Sequence, residues 1–164
     1  MSQSRTTGPK RRAARPWPQG GLTLVELSVA LCIAAVLASI AYPAYQGYRE
    51  KARISQAKQD ITAMSGIIAN FFHDAQAYPD SLADAGLGGM RDPWGNPYGY
   101  LNLGERNARG HARKDHSLVP INTDFDLYSM GPDGRSAPPL TAQHSRDDIV
   151  RANNGAFVGV ASEY

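Results

Sequence analysis

The sequence contains a single cysteine, Cys32, among its 164 residues, so the chain cannot form an intramolecular disulfide. If the C-terminal part is exported to an oxidising compartment, its loops must be held together in another way. Cys32 itself lies inside an apolar run, and we interpret it as a small apolar side chain of a helix.

Acidic residues are missing from the first 21 positions, which carry five of the 17 basic residues. The rest of the chain has 12 basic and 15 acidic residues, a formal net charge of −3. The basic cluster KRRAAR could be a nuclear-localisation or nucleic-acid patch, but its place before an apolar run favours the cationic flank of a membrane segment. A twin-arginine signal is a weaker alternative, because the residues that usually follow the arginine pair are absent. We therefore expect no nucleic-acid partner.

Catalytic motifs are absent as well. Ser129 does not lie in a G-x-S-x-G elbow, and the sequence has no phosphate-binding glycine loop. The four histidines lack metal-ligand spacing such as H-E-x-x-H, and we expect them in solvated loops: His73, His111, His116 and His144. The sequence predicts that the protein is not an enzyme.

An uncharged run extends from Leu27 to Tyr48 and is long enough for one bilayer-spanning helix. Tyr42 and Tyr45 lie with Tyr48 at its far end, where aromatic rings prefer the membrane interface. The basic N-terminal segment favours a cytoplasmic N-terminus. An ordinary secretory signal is the competing interpretation, but its apolar stretch would be shorter, and Pro43 lies where cleavage would be expected.

The residues at the start of this run, GGLTLVE, resemble the prepilin-type cleavage and methylation motif of type IV pilin-like proteins. The resemblance implies that a prepilin peptidase cuts between Gly21 and Leu22 and methylates the new amino terminus of Leu22. It also implies assembly roles for Thr23 and Glu26, and for Pro43 as the proline that bends the helical stem.

Glu26 is an acid at the edge of a lipid-length segment, where a charge is costly unless it is paired. Once cleavage frees the amine of Leu22, that amine can neutralise Glu26 of a neighbouring copy. The motif therefore predicts a polymer of identical subunits, joined through their N-terminal helices.

Apolar residues recur at three- and four-residue intervals after the uncharged run, and this spacing predicts that the helix continues from about Leu22 to about His73. We interpret the stripe as a core-facing helix surface: Ile54, Ala57, Ile61, Met64, Ile68 and Phe71. A helix of this length is too long for a globular domain of this size. Its first half must therefore be buried in lipid or against other copies.

Three segments after the helix predict short strands with turns: DPWGNPYGYLN, DFDLYSMGPDG and NNGAFVGVAS. Between the first two lies GERNARGHARKDHS, residues 104–117, which is polar and basic and lacks periodicity. We predict that this stretch is an exposed loop.

The helix followed by YPDSL, DPWGNPYGYLN and DLYSMGPDG is similar to the major pseudopilin of type II secretion systems. The resemblance implies an α+β, type IV pilin-like fold, in which a long N-terminal helix packs on a small antiparallel β-sheet head with a loop-rich C-terminus. It implies a cleaved basic leader (1–21), a transmembrane and assembly helix (22–46) and a periplasmic head (47–164). The protein would cross the bacterial inner membrane once.

The same resemblance implies a role as structural subunit of a periplasmic pseudopilus. The implied partners are further copies of the chain, minor pseudopilins, the prepilin peptidase and the inner-membrane assembly platform. Three alternatives stay open: a type IV pilin or minor pilin in motility, adhesion or DNA uptake, a membrane-anchored enzyme, and an anchored binding module. Because many pilins close their C-terminal loop with a disulfide, the single cysteine favours a pseudopilin.

Major pseudopilins hold Ca2+ in their C-terminal loop, and the resemblance transfers that site to Asp133, Asp147 and Asp148, with the backbone carbonyl of Met130. Ca2+ accepts carboxylate and carbonyl oxygens in irregular geometry. An ion could close a loop that no disulfide closes. In the alternative interpretation Asp133 occupies a turn and Asp147 caps the segment that follows.

Overall fold

A computed structural model describes residues 21–105 and 108–164 of the chain, without the side chain of Arg109. The first 20 residues of the predicted leader lie outside the described residues. Within the described ranges the main elements are α1 (Leu24–Ala75), β1 (Gly99–Asn102), β2 (Phe125–Ser129), β3 (Ile149–Ala152) and β4 (Phe157–Val160). The chain falls into two units, divided between Pro43 and Ala44.

Helix α1 confirms the predicted helix, with its end two residues later than expected. All its residues up to Arg49 are exposed in the single chain. By length and composition α1 is apolar and long enough to cross a membrane. Pro43 lies inside the helix, where its missing N–H removes one backbone hydrogen bond. The bend assigned to Pro43 stays a prediction.

From Ala44 onward, α1 buries the predicted stripe. Four of its six members are fully buried, namely Ala57, Ile61, Met64 and Ile68. They pack in one cluster with Phe125 and Leu127 of β2, Ile149 of β3, and Leu87 and Tyr98 from the loops. The stripe is therefore the helix face of the main core, as its spacing predicted.

The four strands form one antiparallel sheet in the order β1-β2-β3-β4. Gly99 of β1 lies opposite Tyr128 of β2, and Val150 of β3 pairs with Tyr128 on the other side. A side chain at Gly99 would collide with the Tyr128 ring, which lies across this position. Glycine at this point of β1 therefore makes room for an aromatic ring on the neighbouring strand.

The sheet face that points away from α1 is covered by loops. Val150 and Ala152 of β3 pack with Ile121, Leu140 and Ala161, which come from segments around the sheet. The predicted α+β architecture, a long helix on a small antiparallel sheet with a loop-rich C-terminus, is confirmed.

The prediction that residues 104–117 form an exposed loop is wrong for the middle of this stretch. Ala108, Ala112 and Arg113 are buried, and Ala108 and Ala112 form a small apolar cluster with Leu103. The polar composition of this stretch suggests exposure, but Arg113 can be buried because Asp148, far along the chain, compensates its charge.

Strand β3 was not predicted, although the segment after it was. Ile149–Ala152 and Phe157–Val160 form a hairpin around an Asn-Asn-Gly turn. Asn153, Asn154 and Gly155 all have positive φ, which asparagine and glycine tolerate best. Asp147 and Asp148 directly precede β3, and because the sequence predicts a metal site there, it does not predict a strand at Ile149–Ala152.

Replacing two adjacent isoleucines of α1 tests which face of the helix lies in the core. Ile68 is fully buried, whereas Ile67 is 43% exposed. We expect Ile68→Ala to lower the free energy of unfolding of the head by about 2–5 kcal/mol, because it removes buried methyl groups and leaves a cavity. Ile67→Ala should cost less than about 1 kcal/mol. Urea unfolding of the full chain in detergent, followed by circular dichroism, measures both. Equal losses would contradict the assigned core face.

Candidate functional site

The start of α1 is closed by a capping box made by Thr23 and Glu26. The Thr23 hydroxyl accepts a hydrogen bond from the Glu26 backbone N–H at 3.2 Å. In return, Glu26 Oε2 accepts from the Thr23 backbone N–H at 2.9 Å and from its hydroxyl at 2.7 Å. The two predicted assembly residues are thus brought together, and they satisfy N–H groups that the first helical turn leaves unpaired.

The predicted cleavage site lies immediately before this box. Leu22 is 79% exposed, and a side chain added at Gly21 would meet nothing within 4 Å. The peptide bond between the two residues is therefore open to a protease. Cleavage and methylation at this bond stay predictions.

The exposed part of α1 presents a large apolar surface in the single chain. Its large side chains are all more than half exposed: Leu24, Val25, Leu27, Val29, Leu31, Ile33, Val36, Leu37 and Ile40. Monomeric soluble proteins do not leave a continuous patch of this size in water. This surface therefore has to be covered, by lipid or by other copies of the chain.

The segments DPWGNPY and YSMGPDG, which support the resemblance, contact each other. Asp92 is buried, and its Oδ2 accepts a hydrogen bond from Ser129 Oγ at 2.6 Å. Its Oδ1 accepts from the backbone N–H groups of Trp94 and Asn96. Ser129 Oγ in turn accepts from the Gly131 N–H at 3.1 Å. A buried acid without a cation is thus compensated by three donors.

Asn96 donates a hydrogen bond to one end of the Gly-Pro-Asp-Gly turn and lies close to the other end. Its amide nitrogen donates to the Gly131 carbonyl at 2.9 Å. A Cβ at Gly134 would lie 3.0 Å from the Asn96 amide oxygen. Gly131 and Gly134 have φ values of +63° and +65°, and a Cβ at Gly131 would come within 2.6 Å of the Asp147 carbonyl oxygen. Glycine is therefore required at both positions.

The three acids predicted to bind Ca2+ have different surroundings. Asp133 is exposed, with Oδ1 accepting from the Arg135 N–H and Oδ2 lying 3.3 Å from Nδ1 of His144. Asp147 is half-buried against Gly131. Asp148 is fully buried and forms an ion pair with Arg113, which is 3% exposed. Sequence reasoning missed Arg113, because it lies 35 residues from Asp148 and no local pattern marks it.

Burial raises the pKa of Asp148 above its ordinary value, and the hydrogen bond from Ser136 and the charge of Arg113 oppose that rise. Oδ2 of Asp148 accepts from both partners. Within the described residues, Oδ1 has no hydrogen-bond partner, and neither has Nε of Arg113.

The donor set around these acids does not match a ready-made calcium site. In the described part of the chain, no three His, Cys, Asp or Glu side chains are grouped so that they could hold a metal ion. Ca2+ takes six to eight oxygens, and Asp148 already shares one of its two with a guanidinium. Calcium binding by Asp133, Asp147, Asp148 and the Met130 carbonyl stays a prediction.

Replacing Ser129 tests the contribution of the Asp92–Ser129 contact to stability, and replacing Ser55 is the control for the loss of a serine side chain. Ser129 is fully buried, and Ser55 is exposed on α1. We expect Ser129→Ala to cost about 1–3 kcal/mol of unfolding free energy, because it leaves Asp92 Oδ2 and the Gly131 N–H without this partner. Ser55→Ala should be neutral within about 0.5 kcal/mol. Urea midpoints measure the difference, and equal midpoints would argue against the contact.

Comparison with known proteins places the chain among secretion proteins. It is 32% identical over 137 residues to the type II secretion system core protein G of Escherichia coli strain K12, across 71% of this chain and 83% of that protein. It is 29% identical over 138 residues to the protein of the same name from Pseudomonas aeruginosa, across 71% and 86%. A shorter match to the fimbrial protein EcpC of Eikenella corrodens is 35% identical over 69 residues and covers 42% of this chain and 45% of that protein.

No family model matches the chain, and neither does a solved structure. The matches over 71% of the chain and the pilin-like architecture nevertheless agree. The chain belongs to the family of the type II secretion system core protein G, the major pseudopilin.

Proposed function

We propose that this chain is the structural subunit of a pseudopilus that serves type II protein secretion. The observation that carries the proposal is the similarity to core protein G over most of both chains. The exposed apolar start of α1 supports it, because a subunit of this kind must lie in a membrane before assembly and among other subunits afterwards. The head, from Ala44 onward, would then lie in the periplasm.

The subunit matures by cleavage between Gly21 and Leu22 and methylation of the Leu22 amine. The motif GGLTLVE and the exposure of Leu22 support this step. The prepilin peptidase acts on the precursor. The partners of the mature subunit are further copies of itself, minor pseudopilins and the inner-membrane assembly platform.

Assembly joins the freed amine of Leu22 to Glu26 of a neighbouring subunit. Thr23 orients the Glu26 carboxylate from within the same chain through the capping box. A carboxylate offers about four acceptor sites, and Thr23 uses two of them, so an amine can be added without breaking the cap. An unpaired acid costs about 3 kcal/mol at the centre of a bilayer, which is an upper bound for Glu26 at the edge of the apolar segment. Pairing with the amine removes that cost and sets the axial position of each subunit.

A type IV pilin is the second candidate, because the chain also matches a fimbrial protein over 69 residues. Deleting the gene in the native host distinguishes the two functions. Loss of the pseudopilus would leave exported enzymes trapped in the periplasm, whereas loss of a pilus would abolish surface motility, adhesion or DNA uptake and leave secretion intact.

Glu26→Gln tests the amine–carboxylate pair while keeping an oxygen that Thr23 can cap. We expect normal insertion and processing but at least a tenfold fall in subunits recovered in filaments, which corresponds to about 1.4 kcal/mol. Chemical cross-linking followed by fractionation of membranes and sheared filaments gives this ratio. Cys32→Ala, in the same exposed stretch of α1, is the matched control and should assemble normally. Wild-type incorporation of Glu26→Gln would refute the pairing.

Gly21→Val tests processing. A side chain at Gly21 or at Gly47 meets nothing within 4 Å in the chain, so neither replacement should disturb the fold directly. We expect Gly21→Val to block cleavage, because the peptidase requires glycine there, and Gly47→Ala to be processed as wild type. Mass spectrometry of the membrane fraction detects the retained 21 residues. A shortened, methylated Gly21→Val product would show that the cut lies elsewhere.

A further inference from the structure

The C-terminal loop, residues 130–148, is closed at its base by its own side chains. Ser136 Oγ donates to Asp148 Oδ2 at 2.6 Å. Ser145 Oγ accepts from the Ala137 N–H and donates to the Ala137 carbonyl, both at 2.8 Å. These contacts join Ser136 and Ala137 on one side of the loop to Ser145 and Asp148 on the other side.

A second segment brings Arg113 to this base. The Lys114 N–H donates to the Pro138 carbonyl at 2.9 Å, and the Lys114 carbonyl accepts from the Leu140 N–H at 2.8 Å. On the other side, the Ile121 N–H donates to the Arg113 carbonyl at 3.0 Å. The backbone around Arg113 is thus paired on both sides, and it places this side chain at the base of the C-terminal loop.

The guanidinium of Arg113 then joins three parts of the head. One nitrogen donates to Ser136 Oγ and, at 2.9 Å, to the Ala137 carbonyl. Another forms the buried ion pair with Asp148. The Cζ atom of the group lies 4.2 Å from the ring centroid of Tyr128 in β2, within the range of a cation–π contact. One cation therefore contacts both ends of the loop and the sheet beneath it.

We propose that Arg113 supplies the positive charge that closes the C-terminal loop, so that the head of this protein folds without a bound calcium ion. The guanidinium forms the kind of contacts expected of a bound cation, namely a carboxylate, a hydroxyl and a backbone carbonyl. Unlike a bound ion, the guanidinium is part of the chain, is always charged and donates hydrogen bonds in fixed directions. The calcium concentration around the head then has no effect on the stability of the subunit.

This arrangement disfavours a calcium ion at Asp148. The free oxygen, Oδ1, belongs to the same carboxylate that pairs with Arg113, so an ion there would lie beside a like charge. Displacing Arg113 would leave a guanidinium that is 3% exposed without its acid. Asp133, a second predicted ligand, already lies against His144. Arg113 therefore occupies one carboxylate oxygen of Asp148, and the His144 ring lies against Asp133, so two of the three acids that a metal would need already have partners.

The first test uses the wild-type full chain in detergent. Isothermal calorimetry with CaCl2, and thermal unfolding in CaCl2 or in EGTA, measure calcium binding directly. We expect no heat beyond dilution and the same unfolding midpoint in both solutions. Saturable heat, or a midpoint that rises with calcium, would overturn the proposal, and neither result bears on whether the chain builds a pseudopilus.

The second test compares two arginines of the C-terminal region. Arg113→Met removes the buried cation and keeps most of the side-chain length, whereas Arg135→Met does the same at an exposed position. We expect Arg113→Met to lower the unfolding midpoint by about 10 °C or more, and Arg135→Met by less than about 2 °C. Equal midpoints for the two variants would contradict a structural role for the Arg113 charge.

A double-mutant cycle identifies Asp148 as the partner. Asp148→Asn alone should also lower the midpoint, because it leaves Arg113 as a buried charge without its acid. Combining Arg113→Met with Asp148→Asn should cost clearly less than the sum of the two single changes, since each change then removes the charge that the other leaves behind. Additive losses would show that the two residues act independently and would overturn the pairing. If Arg113→Met does not fold, wild-type calorimetry still decides whether the loop needs calcium.

Discussion

A charge removed from water has to meet an opposite charge or several hydrogen-bond donors, and this constraint organises the protein. In the head, Arg113 pairs with Asp148, and Arg151 pairs with Asp124 at 2.6 Å while its guanidinium lies 3.9 Å from the Phe125 ring centroid. The first pair joins the loop around Arg113 to the residue before β3, and the second joins β3 to the residue before β2. A chain with one cysteine can therefore keep a loop-rich head closed.

The same constraint explains why Glu26 can have a function in an apolar segment. In the single chain Thr23 provides two donors, which orient the carboxylate without neutralising it. The remaining charge favours any arrangement that brings a cation, and in the proposed assembly the amine freed by cleavage would be such a cation. In the head the partner is built into the chain, whereas in the proposed assembly the partner of Glu26 would come from another copy. The first contact stabilises the fold, and the second would stabilise the polymer.

The parts of the fold that could be predicted are those encoded by nearby residues. The stripe from Ala57 to Ile68 repeats with the helical period, so α1 and its buried face could be found without any knowledge of the sheet. Strands β1, β2 and β4 were marked by alternation and turns. Strand β3 has only four residues, Ile149–Ala152, and it follows two aspartates that suggest a metal loop. Its hairpin turn, Asn-Asn-Gly, was the signal that could have revealed it.

The buried polar contacts could not be predicted, because their partners are far apart in the sequence. Arg113 looks like a loop residue until Asp148, 35 positions later, is placed beside it. Asp92 and Ser129 are 37 positions apart. Such residues carry ordinary polar side chains, and hydrophobic periodicity says nothing about them. Their roles depend on a topology that brings strands and loops distant in the sequence into contact.

Several residues of the motifs that resemble the family make buried contacts inside the head. Asp92 and Ser129 are buried, and Asn96 holds the turn between Gly131 and Gly134. Resemblance through these residues therefore argues for a shared fold, because in this chain they make contacts inside the head. Partner choice depends on surfaces that other proteins can reach, such as the exposed pair Leu118 and Val119. Such exposed positions can differ between a pseudopilin and a pilin while the interior stays the same.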